Sequence, residues 1–228
     1  MLRRVAVPLI FGFVGVAILV GLGIWQVQRL AWKEGVLARI ETRIAADPVA
    51  LPQEPDPRAD RYLPVRMSGS FGEGTLRVLV SRKRIGAGYR LVSPFQTGKR
   101  RVLVDRGFIP VAADMPPPPE GAVTVTGNLH WPDDRNDSTP ANDVAGNTWF
   151  ARDLDPMSRA LETEPLLIVA RDLSQPDTGV TPLPVDTRGI PNDHLEYAIT
   201  WFSLAVIWAG MTGYLIWRIR KQDRGGKT

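Results

Sequence analysis

Tyr197-Ala-Ile-Thr-Trp-Phe-Ser-Leu-Ala-Val-Ile-Trp-Ala-Gly-Met-Thr-Gly-Tyr-Leu-Ile-Trp217 is a run of twenty-one residues that contains no charged side chain. As a helix with a rise of about 1.5 Å per residue it would span about 32 Å, and the hydrocarbon core of a bilayer is about 30 Å thick. A helix of a soluble protein is rarely apolar on all sides over such a length. The run therefore predicts a transmembrane helix, which we place at residues 194–217.

A second uncharged run covers residues 5–27 and predicts another transmembrane helix. A cleaved secretory signal is the alternative, but the run is longer than the about 7–15 apolar residues of a signal, and no Ala-x-Ala cleavage site follows it. Small residues recur at intervals of four in both runs, which predicts close packing of the two helices. These residues are Ala17 and Gly21 in the first run, and Ala205, Ala209 and Gly213 in the second.

The orientation of the two helices follows from the basic residues beside them. Arg218, Arg220, Lys221, Arg224 and Lys227 follow the second run. Because basic residues collect on the cytoplasmic side, we expect residues 1–4 and the tail 218–228 in the cytoplasm, and residues 28–193 outside it. No Arg-rich, Ser-rich transit peptide precedes the first run. We therefore expect a multi-pass protein of the bacterial cell inner membrane with a periplasmic domain.

The segment between the two runs changes from helical to strand periodicity. Residues 30–45 continue the first helix, and a proline-rich connector follows from Pro48 to Pro64. Alternating apolar residues then predict strands, a hairpin turn is expected at residues 96–99, and a short helix at residues 154–161. The predicted strands are 76–80, 89–93, 101–105, 123–127 and 166–170. The fold class is an α+β membrane protein whose small, mainly antiparallel β domain is a barrel or a sandwich.

The composition excludes several classes of chemistry. The chain has no cysteine, so it has no disulfide, thiolate metal site or c-type haem attachment motif. The sequence also lacks a P-loop, a Gly-x-Ser-x-Gly elbow, a His-Glu-x-x-His motif and a Gly-x-Gly-x-x-Gly motif after a strand. We therefore predict that the protein is not an enzyme. The net charge of +4 lies largely in the tail, which indicates a membrane surface rather than nucleic acid as the partner.

One of the only two histidines, His194, stands at the start of the second helix, with Asp193 as its expected N-cap. A helical stripe continues below it through Ala198, Trp201, Ala205, Trp208 and Thr212, and Tyr197 flanks the stripe. Two interpretations are open. The rings of His194, Tyr197 and Trp201 form an interfacial aromatic belt, or the imidazole is a metal ligand beside an aromatic-walled apolar surface.

The end of the first helix offers a partner for His194. Trp25, Arg29 and Trp32 share one helical face at the same membrane surface. Arg29 either extends to the interface between belt tryptophans or binds an anionic group. The sequence Asp105-Arg106-Gly107 favours a structural salt bridge and a turn glycine, and His130 is interpreted as a loop residue at a strand end.

Four motifs follow one another along the chain, in both helices and in the predicted strands. They are Gly23-Ile-Trp-Gln-Val-Gln-Arg29 with Trp32-Lys33, Gly88-Tyr-Arg-Leu-Val-Ser-Pro-Phe95, Val102-Leu-Val-Asp-Arg-Gly-Phe-Ile-Pro110 and Pro191-Asn-Asp-His-Leu-Glu-Tyr-Ala-Ile-Thr-Trp-Phe202. In this order they resemble the Surfeit-locus protein one (Shy1) family of cytochrome c oxidase assembly factors, and the resemblance covers nearly the whole chain. At Asp193 and Glu196 the family often has asparagine and glutamine, so this sequence is more acidic there.

The resemblance implies a chaperone-like role in biogenesis of the respiratory chain. It implies that the protein helps to deliver haem a to the large catalytic subunit of a haem-copper oxidase, and that haem a synthase or other assembly factors are further partners. His194 corresponds to the family's proposed haem ligand. Trp25, Tyr197 and Trp201 are then expected to flank the porphyrin, and Arg29 to pair with a propionate. A scaffold that stabilises an oxidase intermediate without binding haem is the alternative.

Overall fold

The computed structural model describes residues 2–82 and 86–225, which contain three helices and eight strands. The ends of the predicted cytoplasmic segments, residue 1 and residues 226–228, lie outside the described residues. The helices are α1 (Leu2–Ala45), α2 (Leu154–Leu161) and α3 (His194–Gly225). The strands are β1 (Val49–Ala50), β2 (Pro64–Phe71), β3 (Leu76–Arg82), β4 (Gly86–Thr97), β5 (Arg100–Pro110), β6 (Val123–His130), β7 (Thr148–Trp149) and β8 (Leu167–Leu173).

The chain divides into two compact units. One unit contains Met1–Arg39 and Arg188–Thr228, and the other is Ile40–Thr187. The first unit is a pair of helices, formed by α3 and by α1 up to Arg39. The helical segments Val5–Ala45 and His194–Gln222 are long and apolar enough to cross a membrane. The two apolar helices predicted at the ends of the chain are thus confirmed, and their composition suggests insertion into a membrane.

The helix pair is antiparallel and is held together where α1 lacks side chains. A Cβ atom added at Gly12, Gly15 or Gly23 would lie 2.2, 2.4 or 2.6 Å from the nearest side-chain atom of α3. Those atoms belong to Thr212, Trp208 and Phe202, so the residue number falls on α3 as it rises on α1. Glycine at these positions therefore lets the two helices approach closely.

The predicted packing of small residues at intervals of four is only partly correct. Ala205 is buried, as expected, but an added Cβ at Gly21 or Gly213 has no atom within 4 Å, and Ala17 and Ala209 are exposed. The reason is geometric. Four residues turn an α-helix by about 400°, so each step of four rotates the stripe about 40° away from a partner helix. Contact residues that are spaced alternately three and four positions apart keep the same face of α3 against α1.

The second unit is built on one mixed sheet. Its strand order is β1-β2-β6-β8-β5-β4-β3-β7, and most neighbours are antiparallel, as predicted. The sheet curls so that β2 also meets β4, but only Ser70–Gln96 and Phe71–Phe95 pair there. The domain is therefore not a closed barrel, and its strands form a single sheet rather than the two sheets of a sandwich.

All five predicted strands are present, as β3, β4, β5, β6 and β8. The short helix has the predicted bounds, and the hairpin turn contains Gly98 with a φ of 56°. The helical extension to residue 45 is also confirmed, because α1 ends at Ala45. The carbonyl oxygen of Ile44 accepts hydrogen bonds from Asn128 and Arg171, which satisfies one of the groups left free at a helix end.

Apolar side chains cover both faces of the sheet. On one face the core contains Val65, Phe95, Val125 and other fully buried residues. On the other face α2 packs its apolar side, with Met157 fully buried, against a second cluster that includes Trp149. This double burial explains why β5 and β8 read as continuous apolar runs rather than as a strict alternation.

At a bulge in β5, two consecutive charged residues belong to separate buried ion pairs. Leu91 pairs with Gly107 and Val92 with Asp105, so Arg106 is the extra residue. Gly107 has a φ of 133°, and a Cβ atom there would lie 2.3 Å from the carbonyl oxygen of Thr181. The interpretation of Asp105-Arg106-Gly107 as a structural salt-bridge motif is therefore confirmed, although Gly107 lies in a bulge and not in a turn.

The two ion pairs use different partners. The Asp105 carboxylate is fully buried and accepts from Arg90 at 2.5 Å, with Arg152 3.6 Å away. Arg106 donates to both oxygens of Asp177, at 2.8 and 2.5 Å. Removal of one member of such a network leaves the remaining charge without compensation in a medium of low polarity.

We predict that Asp105→Ala lowers the free energy of unfolding by about 3–5 kcal/mol, because the guanidinium of Arg90 stays buried without its carboxylate. The measurement is urea unfolding of the full chain in detergent micelles, followed by circular dichroism. Asp114→Ala, at an exposed position, is the control and should change stability by less than about 0.5 kcal/mol. Equal stability of both variants would contradict the network.

A second prediction concerns the helix pair. Gly12→Ile should lower the free energy of unfolding of the helix pair by about 1–3 kcal/mol, because the new side chain overlaps Thr212 of α3. The measurement is thermal unfolding of the full chain in detergent micelles. Gly21→Ile is the matched control in the same helix, where an added Cβ meets no atom. A loss of stability at Gly21 that equals the loss at Gly12 would show that the helices pack in another register.

Candidate functional site

The site predicted around His194 begins with a helix start. His194 is the first residue of α3, and the carbonyl oxygen of Asp193 accepts a hydrogen bond from the Tyr197 N–H at 3.2 Å. Asp193 therefore occupies the N-cap position before α3, as the sequence predicts.

The His194 ring faces α1. Its Nδ1 lies 2.8 Å from Oε1 of Gln26, whose side chain is buried in the helix pair. The predicted stripe below His194 is the same face of α3: Ala198 and Ala205 are buried, and Trp201, Trp208 and Thr212 are half-buried. The histidine thus belongs to the contact between the helices and is not simply an exposed interfacial ring.

The other predicted site residues lie around this contact at different depths. Trp201 is half-buried in the stripe, whereas Trp25 and Tyr197 are more than half exposed. The guanidinium of Arg29 lies 4.0 Å from the ring centroid of Trp32 on the same helix, within the range of a cation–π contact. Within residues 2–82 and 86–225, no hydrogen bond or ring contact joins His194 to any of these four predicted residues.

Two further observations describe the donor atoms near His194. In the part of the chain that the structure describes, no three histidine, cysteine, aspartate or glutamate side chains cluster to bind a metal ion. His194 is therefore a single imidazole donor. Two residues earlier, Oδ1 of Asn192 is buried and has no hydrogen-bond partner among the described residues. A buried acceptor without a partner is uncommon and marks a position where a donor can be added.

Gln26 is the site residue that sequence reasoning missed. It is an amide in the last turn of the uncharged run 5–27, inside the motif that carries the family resemblance. Its exposed fraction is 8%, whereas its neighbour Trp25 is 54% exposed. The available signal was a polar residue, three positions after Gly23, on the same side of the helix.

The second histidine has a structural role. His130 is the last residue of β6, and its ring stacks on Tyr62 with centroids 5.7 Å apart. Burial, together with the positive charges of Arg152 and Arg61, lowers the pKa of His130 to about 3. The imidazole is therefore neutral near pH 7, and it ends a strand rather than lying in a loop.

A cavity of about 290 Å³ in the sheet unit is lined by Arg90, Asp134, Arg152 and apolar residues of β3. Its charged groups are all in ion pairs, since Arg152 donates to Asp134 at 2.6 Å and Arg90 donates at 2.5 Å to Asp105, which lies outside the cavity lining. The pairing satisfies these charges without a ligand, so the helix pair remains the stronger candidate site.

Comparison with known proteins agrees with the motif analysis. The sequence model of the SURF1 family matches residues 13–206. Surfeit locus protein 1 of Homo sapiens is 32% identical over 210 residues, which cover 81% of this chain and 69% of the human protein. The Rattus norvegicus protein of that name is 31% identical, with coverage of 87% and 71%. A SURF1-like protein of Monosiga brevicollis is 31% identical, with coverage of 86% and 82%.

The low pKa of His130 predicts how stability depends on pH. Between pH 6.5 and about 3 the unfolded chain binds a proton at this residue and the folded chain does not. The contribution of neutral His130 to the free energy of unfolding is therefore fully present above pH 6.5. As the pH falls through this window, that free energy decreases by about 1.4 kcal/mol per pH unit. His130→Phe keeps a ring on Tyr62 without the titration. Urea unfolding across pH 4–6.5 should give a smaller pH slope for the variant, and equal slopes would contradict the assignment.

Proposed function

Because this chain belongs to the SURF1 family, we propose that it is an assembly factor for a haem-copper terminal oxidase, cytochrome c oxidase. In this proposal it is not an enzyme and helps to deliver haem a to the large catalytic subunit. The observation that carries the proposal is the contact between His194 and Gln26, since it holds a single imidazole at the start of an apolar helix.

The donor atoms fit a haem iron. With Nδ1 of His194 engaged by an amide oxygen, the lone pair of Nε2 remains available, which is the form of imidazole that binds metals. Haem a, when bound, would supply an iron that accepts a nitrogen ligand, and its long isoprenoid tail is soluble in lipid. The residues of this chain then supply the ligand, the ring contacts and a charge for the propionates.

Each predicted residue has a role in keeping with its position. Trp25 and Tyr197 are exposed and offer ring faces to a porphyrin. Trp201 is half-buried in the contact between the helices and supports the site from inside. Arg29, whose guanidinium now stacks on Trp32, pairs with a propionate as a bidentate donor. A delivery protein must also release its cargo, and one imidazole ligand dissociates more readily than two.

The proposed location follows from the charge of the sequence. Residues 5–27 and 194–217 cross the bacterial inner membrane, and residues 1–4 and 218–228 lie in the cytoplasm. Residues 28–193 then form the periplasmic domain. Haem a would reach the helix pair laterally from the lipid, and the sheet unit would recognise the large oxidase subunit, haem a synthase or another assembly factor.

A second function is supported by the exposed aromatic residues. Trp25, Tyr197, Tyr214 and Trp217 are each more than half exposed on the helix pair. Such residues also pack against the helices of a partner, so the chain would stabilise a partly built oxidase subunit without binding haem. Co-purification with the subunit in the absence of bound haem would favour this scaffold.

We predict that His194→Ala abolishes haem a occupancy in protein purified from cells that make haem a, because the substitution removes the only imidazole of the helix pair. Occupancy is measured from the absorption spectrum of the reduced pyridine complex. His130→Gln is the matched control, since it removes the other imidazole from the sheet unit and should leave occupancy unchanged.

The result separates the two functions. Equal haem occupancy in wild type and His194→Ala would remove His194 from the mechanism. Protein without haem in the wild type, but with the oxidase subunit bound, would replace delivery by the scaffold function.

A further inference from the structure

We propose that Gln26 is a positioning residue that fixes the tautomer of His194, with the proton on Nδ1 and the lone pair on Nε2. This inference rests on the proposed function, because the free Nε2 is the atom that would bind the haem iron. It adds a buried residue of α1 to a site for which the sequence predicts only Trp25 and Arg29 on that helix.

The donor and acceptor assignment follows from the chemistry of the two groups. An amide oxygen only accepts hydrogen bonds, and it is Oε1 of Gln26 that lies 2.8 Å from Nδ1 of His194. Nδ1 therefore donates and carries the proton. A neutral imidazole has one protonated nitrogen, so Nε2 keeps its lone pair. The contact selects the tautomer in which the nitrogen farther from the backbone is free to coordinate.

The environment makes this hydrogen bond persistent. Gln26 is 8% exposed and lies one turn from Gly23, where the missing side chain lets Phe202 of α3 approach. Water competes weakly for a buried amide at such a contact, and an unpaired amide in an apolar helix pair costs free energy. Breaking the bond would leave Oε1 of the buried Gln26 amide without this partner, so the packing of the helices favours this orientation of the His194 ring.

The acceptor is an amide although two carboxylates stand beside the histidine in sequence. Asp193 and Glu196 are exposed, and the described residues show no hydrogen bond from either side chain to the His194 ring. A carboxylate behind a ligand histidine makes the imidazole a stronger donor and a tighter ligand. An amide orients the ring without adding a negative charge. The arrangement therefore favours a ligand that binds iron and also releases it.

The first test reads the tautomer directly in the absence of haem. The full chain, labelled with ¹⁵N-histidine, is studied in detergent micelles by NMR, since the ¹⁵N shifts distinguish protonated from unprotonated ring nitrogens. Only two histidines contribute, and His130→Gln assigns them. We expect the His194 proton on Nδ1 in wild type. In Gln26→Leu, which has no acceptor, the proton should shift wholly or partly to Nε2.

Two further variants make this test specific. Gln26→Glu should retain the Nδ1 proton, because a carboxyl group also offers an acceptor oxygen. Gln28→Leu is the matched control, an exposed glutamine two positions away, and should behave as wild type. A proton on Nε2 in wild type, or a Gln26→Leu variant that keeps the proton on Nδ1, would overturn the assignment.

The second test connects the tautomer with ligation. Hemin is titrated into the same purified proteins, and binding is followed by the shift of the Soret band. Loss of an outer partner of a ligand histidine typically weakens metal binding about 10- to 100-fold, so Gln26→Leu should bind hemin that much more weakly than wild type. Gln26→Glu should bind at least as tightly as wild type, and release hemin more slowly to apomyoglobin.

The two tests fail separately. If wild type binds no hemin and no haem a, the proposed function is wrong, whereas the NMR result alone decides whether Gln26 sets the tautomer. If wild type and Gln26→Leu bind hemin equally through His194, Gln26 does not position the ligand.

Discussion

Close approach of two helices at three glycines is the constraint on which the candidate site depends. Gly12, Gly15 and Gly23 leave room on α1 for side chains of α3, and this fixes both the distance and the register of the pair. The register then places Gln26 opposite His194, although the two residues lie 168 positions apart in the chain. In lipid the hydrophobic effect does not favour association of apolar helices, so shape complementarity and a buried hydrogen bond carry more of the stabilisation than they do in water.

The sheet unit is subject to a different constraint, because several charged side chains are buried in its interior. At the bulge in β5, the consecutive residues Asp105 and Arg106 belong to separate networks. Each carboxylate in these networks is bound by a guanidinium, so the interior is charged but compensated. Such pairs contribute little net stability in comparison with apolar residues, and they penalise any rearrangement that separates them.

Much of the fold was predictable because its signals are local. Short apolar segments, some alternating and some continuous, identified five strands, and the short helix predicted at residues 154–161 is α2, with the same bounds. β2 was missed because Pro64 continues a proline-rich connector, yet proline is acceptable as the first residue of a strand. Of the candidate site, the sequence predicted the residues that one continuous helix spaces, which are the stripe below His194 on α3 and the face with Trp25 and Arg29 on α1. The position of Gln26 and the glycines that contact α3 depend on how α1 is rotated and shifted relative to α3. That relation between two distant helices cannot be derived from a local sequence pattern.

The order of strands in the sheet implies an order of events during folding. β8 is the last of the described strands to be synthesised, yet it lies in the centre of the sheet, parallel to β5 and antiparallel to β6. Before it arrives, β5 and β6 have no hydrogen-bonded partner on their facing sides, and only the two residue pairs between β2 and β4 connect the two halves. A nascent chain shorter than Leu173 thus exposes two apolar strand edges of the kind that template intermolecular pairing. The two halves of the sheet thus cannot be joined through its centre until β8 has been synthesised.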